Sequence, residues 1–160
     1  MLVRPADPAE IDRLAQLWHD AWHGAHAHLA PPELVRLRTQ ANFRDRLAAM
    51  LADIRVVGPP GAPLGLCVVR GDELYQLFVS PAAHGTGGAA ALIADAETRL
   101  AARGVELAWL ACAVGNMRAA RFYEKSGWGN AGTFVMMSET SQGPFPMDQW
   151  RFEKRLAHGP

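Results

Sequence analysis

The 160-residue sequence predicts an α/β (α+β) fold: a mixed, mostly antiparallel central sheet of six to seven strands flanked by about four helices. Two observations lead to this prediction. Three apolar runs within residues 54–79 are joined by turns too short to return the chain to a parallel start, so they form an antiparallel meander. An alanine-rich helix then separates the run Leu74–Val79 from Val105–Ala113, and such a crossover makes those two strands parallel. The length suits a single domain, residues 1–160.

The first helix has a clear start signal. A short strand, Leu2–Arg4, precedes Asp7-Pro8-Ala9-Glu10, in which Asp7 is the predicted N-cap and Glu10 completes a capping box. Apolar residues follow at helical spacing: Ile11, Leu14, Ala15, Trp18 and Trp22. We expect Gly24 to end this helix.

The later elements follow from apolar runs and breakers. A second helical region opens at Pro31-Pro32, with an apolar face of Phe43, Leu47, Met50 and Leu51. A long helix begins near Gly88 and ends at Arg103-Gly104, and a short one runs from Asn116 to Lys125. The remaining predicted strands are Ile54–Val57, Leu64–Val69, Ala131–Met136 and Met147–Lys154, the last two joined by a loop that contains Gly143-Pro144-Phe145-Pro146.

Composition excludes several partner classes. The formal net charge is zero, which favours neither nucleic acid nor an anionic membrane surface as a partner. No apolar run approaches the ~20 residues that span a bilayer, and the N-terminus lacks the shape of a signal peptide. Cys67 and Cys112 fall in strand-like runs, where free buried thiols are expected. We therefore expect a cytoplasmic protein.

A glycine-rich turn joins the central strand to the long helix. Gly85, Gly87 and Gly88 leave the backbone open to an anion, and the helix dipole favours negative charge at the same place. The spacing is neither the G-x-x-x-x-G-K-[ST] of a P-loop nor the G-x-G-x-x-G of a dinucleotide-binding unit. The turn therefore predicts an anion site of another kind.

Two stretches together resemble a known family. V-S-P-A-A-H-G-T-G-G-A (79–89) and N-M-R-A-A-R-F-Y-E-K-S-G-W (116–128) look like the two signature motifs of the GNAT superfamily of acyl-CoA-dependent N-acyltransferases. Their order, their separation and the chain length also fit. The resemblance implies a GNAT-like sheet, acetyl-CoA as co-substrate and a primary amine as acceptor.

The resemblance also implies cofactor contacts. The family pattern [QR]-x-x-G-x-[GA] reads His84-Gly85-Thr86-Gly87-Gly88-Ala89 here, so His84 replaces a cation or an amide, and we expect weaker, somewhat pH-dependent binding. In relatives, the end of the central strand pairs with the pantetheine arm. The cofactor residues implied are Leu77, Phe78, Val79, His84, Gly85, Thr86, Gly87, Gly88, Ala89, Asn116 and Tyr123.

The resemblance implies that Tyr123 is the general acid and that Asn116 bonds the cofactor. A phenol with a pKa of ~10 stays protonated where a thiol of ~8.5 ionises, so it can donate to the leaving sulfur. Tyr123 as a core aromatic beside Phe122, and Asn116 as a simple N-cap, are the alternative interpretations.

The sequence leaves the identity of the general base open. Ala111 stands where some relatives carry a glutamate, and the candidates are Glu73 at the start of the central strand, a histidine of the 19–28 segment, and ordered water.

Four histidines lie close together near the end of the first helix: His19, His23, His26 and His28. A metal site is one interpretation, because His19 and His23 are four residues apart, but the H-E-x-x-H pattern is absent. We favour an acceptor pocket built from Trp22, His23, His26 and Tyr75, and a solvated helix end is equally admissible.

These observations predict an enzyme that acetylates a primary amine of a small molecule or a peptide. The alternative is a CoA-binding regulatory or interaction module that has lost turnover, which the residues His84 and Ala111 would suit. Domains of the resembled family often pair, so a homodimer is compatible with the sequence, although nothing in it identifies an interface.

Overall fold

The computed structural model describes residues 1–157, which form a seven-stranded sheet with strand order β1-β2-β3-β4-β5-β7-β6. All neighbouring strands are antiparallel except the parallel pair β4 and β5, which confirms the predicted fold class. The strands are β1 (Arg4–Pro5), β2 (Ile54–Val57), β3 (Gly65–Arg70), β4 (Glu73–Val79), β5 (Leu107–Ala113), β6 (Gly129–Thr140) and β7 (Gly143–Arg155). The described α-helices are α1 (Ile11–His26), α2 (Pro32–Leu37), α3 (Gln40–Ala49), α4 (Gly88–Ala102) and α5 (Met117–Lys125).

The start of α1 is built as the capping signal predicts. Asp7 caps a short 3-10 turn, Pro8–Glu10, which leads into α1, and the Glu10 carboxylate accepts a hydrogen bond from the Asp7 backbone N–H. The first strand is shifted from the predicted Leu2–Arg4 to Arg4–Pro5, where Arg4 pairs with Val56. The side chain of Arg4 then reaches Glu10, so strand pairing and the ion pair together set the position of this strand.

The prediction that Gly24 ends the first helix is wrong, because α1 continues to His26. An isolated glycine costs a helix only about 1 kcal/mol. The packing of Trp22 and His26, which are both buried, outweighs that cost, and Gly24 itself lies on the exposed side of the helix.

Helices cover both faces of the sheet. On one face α1 and α3 contribute Leu14, Trp18, Phe43 and Leu47 to a buried cluster. On the other face α4 and α5 contribute a second cluster that includes Leu92, Ala96, Leu100 and Tyr123. Cys67 and Cys112 belong to this second cluster, where both are buried and unpaired, as expected. Within residues 1–157, no helix is long and apolar enough to cross a membrane.

Strands β4 and β5 touch only at their beginnings. Within the described chain their register joins Glu73 to Trp109 and no later pair, so the strands separate towards their C-terminal ends. The backbone of β4 from Gln76 to Val79 is therefore paired with β3 on one side and left open on the side of β5, and Tyr75 lies at a register shift in the β3–β4 pairing. The resulting gap is where a ligand can reach strand backbone.

Two further predictions need correction. The second helical region consists of two helices, α2 and α3, and residues 51–53 form a separate 3-10 turn. The predicted loop around Pro144 and Pro146 is the beginning of β7, which pairs with β6 from Gly143 onward. Prolines are tolerated there because β5 pairs with β7 only from Gln149, and the Asp148 carbonyl accepts from the Val114 N–H, so within the described chain residues 143–147 have a strand partner on one side alone. We call residues 136–147 the β6–β7 extension.

Candidate active site

A large groove of about 1310 Å³ runs from the glycine-rich turn to the gap between β4 and β5. Gly85 and Gly87 have φ values of +78° and +84°, which a side chain would strain, and Gly87 is the N-cap of α4. The first helical bond runs from the Ala91 N–H to the Gly87 carbonyl. The N–H groups of Ala89 and Ala90 therefore have no acceptor inside the helix and face the end that attracts anions.

The groove brings together nearly all of the predicted cofactor residues. Those that line it are Leu77, Phe78, Val79, His84, Gly85, Gly87, Gly88, Ala89, Asn116 and Tyr123. Thr86 is the exception: its hydroxyl donates to the Ala83 carbonyl and accepts from the Gly88 N–H. Thr86 thus holds the shape of the turn, while its neighbours line the groove.

Arg118 places a guanidinium beside His84, the residue that stands where the family pattern has a cation or an amide. Its guanidinium donates to Nδ1 of His84 at 2.8 Å, and both residues line the groove. A guanidinium carries a permanent charge and donors that suit phosphate oxygens. The cation therefore comes from α5 instead of from the turn itself, a substitution that the sequence pattern alone did not reveal.

Tyr123 and Asn116 lie where the groove meets a second, small cavity of about 140 Å³ on the opposite side of the β4–β5 gap, and both residues line both spaces. Asn116 caps α5 by accepting the Ala119 N–H, so the N-cap interpretation holds without excluding contact with a ligand. Burial raises the pKa of Tyr123, and no described residue hydrogen-bonds its hydroxyl. The phenol is thus a protonated donor without a partner in the described chain.

The small cavity receives three of the four predicted acceptor residues, Trp22, His26 and Tyr75. His23 lies outside it and instead donates from Nε2 to the Arg38 carbonyl at 2.6 Å. The β6–β7 extension forms part of the cavity wall. It contributes Met136, Met137, Ser138, Glu139 and Met147.

His26 is the histidine that the fold turns inward. It is 7% exposed, and its Nδ1 donates to the Trp22 carbonyl at 3.0 Å, which leaves Nε2 as the acceptor. Burial lowers its pKa to about 4, so the ring is neutral at pH 7. His19 contacts Asp20 at the surface, and His28 lines the large groove. His19 and His23 stay together, with ring centroids 4.3 Å apart, whereas His26 and His28 lie elsewhere, and no group of three residues that could hold a metal ion occurs within residues 1–157.

Glu73 lies at the closed end of the β4–β5 gap, outside both the groove and the cavity. It is 6% exposed, and burial raises the pKa of its carboxyl to about 7, an effect that the nearby Arg70 partly opposes. Its pKa suits a base, whereas its position separates it from Tyr123 and His26.

Sequence reasoning did not assign the arginines of the small cavity. Arg38, Arg46 and Arg70 come from the end of α2, from α3 and from the end of β3, and Gln149 of β7 joins them. Residues so far apart in the chain share no local pattern. Arg118 lies inside the second motif, two residues after Asn116, but the motif by itself assigned it no role.

Comparison with known proteins agrees with this geometry. Residues 11–128 match the sequence model of the family described as "Acetyltransferase (GNAT) family". A protein of Mycobacterium tuberculosis named as an uncharacterized N-acetyltransferase is 41% identical over 70 residues. That match covers 41% of this chain and 45% of the relative, so the chain spans less than half the length of the curated relatives it matches.

Solved structures share the fold. A GCN5-related N-acetyltransferase from Rhodopseudomonas palustris superposes with a TM-score of 0.76 at 20% identity, over 97% of this chain and 95% of that one. A putative acetyltransferase from Salmonella typhimurium, solved with its cofactor acetyl-CoA, has a TM-score of 0.73 at 15% identity, over 100% of this chain and 96% of that one. At these identities the likeness establishes the architecture.

Proposed function

The chain belongs to the acetyltransferase (GNAT) family, and from this premise we propose that it transfers an acetyl group from acetyl-CoA to a primary amine. One observation carries the proposal: the β4–β5 gap joins a large groove, which begins at an anion-binding turn, to a small cavity, with Tyr123 at the junction. A groove for the cofactor and a cavity for the acceptor, meeting at one donor, are what acyl transfer between two substrates needs.

The groove fits the cofactor. The free N–H groups of Ala89 and Ala90, the left-handed Gly85 and Gly87, and the cation of Arg118 suit a pyrophosphate. The open edge of β4 offers backbone donors and acceptors to an extended amide chain. Acetyl-CoA, when bound, supplies the acetyl group as a thioester.

Two side chains of the small cavity divide the proton transfers. As the C–N bond forms and the C–S bond breaks, the attacking nitrogen becomes acidic, and Nε2 of His26 takes its proton. The Tyr123 hydroxyl gives a proton to the departing sulfur, and solvent then returns both groups to their starting states. The buried, neutral His26 and the protonated Tyr123 support these roles.

A binding experiment tests the cofactor assignment first. We expect acetyl-CoA and CoA, but not NAD, to raise the thermal unfolding midpoint in a saturable way, and acetyl-CoA to release free thiol when amines are supplied. Gly87→Ala should weaken acetyl-CoA at least about tenfold, because a side chain at φ +84° strains the anion-binding turn.

Gly71→Ala is the matched control. Gly71 has a φ of +62° in the β3–β4 turn, and an added Cβ meets no atom within 4 Å at either glycine. The control should share the loss of stability and keep full affinity. The absence of binding at millimolar acetyl-CoA would refute the cofactor assignment, and binding without thiol release would favour the CoA-binding module.

A second experiment separates the two candidate bases. His26→Asn keeps an N–H for the Trp22 carbonyl but removes the basic nitrogen, since an amide oxygen accepts hydrogen bonds without taking a proton, so kcat should fall about 100-fold, whereas Glu73→Gln should change kcat less than about threefold. In the wild type, protonation of His26 removes the base, so kcat should stay level near pH 7 and fall only towards pH 4. A midpoint near 7 that disappears in Glu73→Gln would instead identify Glu73 as the base.

A further inference from the structure

The small cavity is lined by three arginines, Arg38, Arg46 and Arg70, and none of them belongs to an ion pair within residues 1–157. The acid among the lining residues is Glu139, which is exposed and meets Arg38 through its backbone carbonyl instead of its carboxylate. Three cations therefore surround a space of about 140 Å³, and no carboxylate of the described chain forms a salt bridge with them, although Glu139 and Glu73 lie near enough to interact with Arg38 and Arg70 at longer range.

Arg38 is the most informative of the three. It is 3% exposed, and its Nη1 donates to two neutral acceptors, the Asn42 Oδ1 at 2.9 Å and the Glu139 carbonyl at 2.6 Å. Its Nε is buried and finds no acceptor among the residues that the structure describes. Burial lowers its pKa to about 10, with a smaller contribution from Arg46 that Tyr75 and Glu139 partly oppose, so the group still carries its charge at neutral pH. A buried charge without a salt-bridge partner costs free energy, and a bound anion would offset that cost.

The surroundings hold these donors in place. His23 donates to the Arg38 carbonyl, and Arg46 donates to the Tyr75 hydroxyl at 2.9 Å while its guanidinium lies 4.3 Å from the Trp18 ring. Trp18 also lines the cavity, and its buried Nε1 has no acceptor. Fixed, unpaired donors around one small space are the arrangement that recognises an anion.

We propose that the acceptor amine carries a carboxylate, which Arg38 and Arg46 bind while the amine faces Tyr123 and His26. This inference deepens the proposed function and rests on it. An amino group and a carboxylate held together in about 140 Å³, roughly the space that holds one benzene molecule, describe a free amino acid or a similarly small amino carboxylate. A peptide N-terminus has no carboxylate next to its amine and lacks this feature.

Calorimetric titration of the protein saturated with CoA tests the proposal. The probes are the L-amino acids, their carboxamides and the matching 1-aminoalkylphosphonates. At least one amino acid should bind ten times tighter than its own carboxamide, and Arg38→Gln should reduce that preference below twofold, because the amide removes the charge. Arg38→Lys keeps the positive charge, so this variant should retain part of the preference for the carboxylate over the carboxamide. Arg36→Gln is the matched control, since Arg36 is exposed on the adjacent α2 and pairs with Glu33.

Other outcomes overturn the inference. These are equal affinity for acid and amide, no amino acid bound at millimolar concentration, or a phosphonate bound ten times tighter than the carboxylate, which would identify a phosphorylated acceptor. If Arg38→Gln does not fold, Arg46→Gln should show the same loss of preference. Thiol release with carboxamides alone would refute the carboxylate and leave acetyl transfer intact, whereas carboxylate binding without thiol release with any amine would refute acetyl transfer and leave the anion site intact.

Discussion

Tyr123→Phe should lower kcat by about 10²–10⁴-fold and leave the affinity for acetyl-CoA within about twofold. The change removes only the hydroxyl, which no described residue hydrogen-bonds, so stability should change by less than about 1 kcal/mol. Burial raises the pKa of Tyr123, so the phenol should remain a donor throughout the alkaline range. Steady-state kinetics by thiol release, together with calorimetry of acetyl-CoA, measure the two quantities separately.

Tyr75→Phe is the control, because it deletes the same hydroxyl from the only other tyrosine of the chain. The Tyr75 hydroxyl accepts from Arg46 in the small cavity. Its loss should therefore raise the KM for the amine more than it lowers kcat. If Tyr123→Phe kept wild-type turnover, Tyr123 would be a core aromatic residue and the acid would have to be sought elsewhere.

Glu10→Gln should lower the free energy of unfolding at pH 7 by about 3 kcal/mol. The Glu10 carboxylate is 2% exposed and accepts from Arg4 Nη1 and Nη2 at 2.8 and 2.7 Å, and from the Asp7 and Gly61 N–H groups at 2.9 and 3.1 Å. It thereby joins β1, the start of α1 and the turn after β2. Glutamine keeps the shape of the side chain but removes its charge. Its NH2 group would also face the N–H donors of Arg4, Asp7 or Gly61, which now bind a carboxylate oxygen. Urea unfolding measures the loss.

The pH dependence gives an independent check. The hydrogen bond with Arg4 is the main reason that the pKa of Glu10 falls to about 2 from its ordinary value near 4.5. The folded state therefore holds this proton less tightly than the unfolded state does, so the stabilisation is complete above pH 4.5 and is lost as the pH falls through about 2. The difference between wild type and Glu10→Gln should shrink in that window. A difference that stayed constant would contradict the assignment, and Glu33→Gln, in an exposed pair, should leave the unfolding midpoint nearly unchanged.

The local chemistry of the sequence determined much of the fold. The capping box at Asp7, the strand Ile54–Val57 and the short helix closed by Lys125 were predicted where they occur, because caps, apolar runs and glycine stops act over a few neighbouring residues. Where predictions failed, a distant contact was the cause. Helix α1 continues past Gly24 because Trp22 and His26 are buried. The segment around Pro144 is a strand because it pairs with β6.

The structure of the turn 84–89 and of the helix that begins after Asn116 could be predicted in the same way, since both are contiguous motifs with their own geometry. The lining of the small cavity could not be predicted. Arg38, Arg46 and Arg70 become one group only when α2, α3 and β3 pack around the β4–β5 gap, and burial then sets which histidine is neutral and which cation lacks a partner. By itself the sequence determined the architecture and the anion-binding turn, because those depend on neighbours in the chain. The tertiary structure alone decided which charges line the small cavity, because desolvation and the distance between charges depend on neighbours in space.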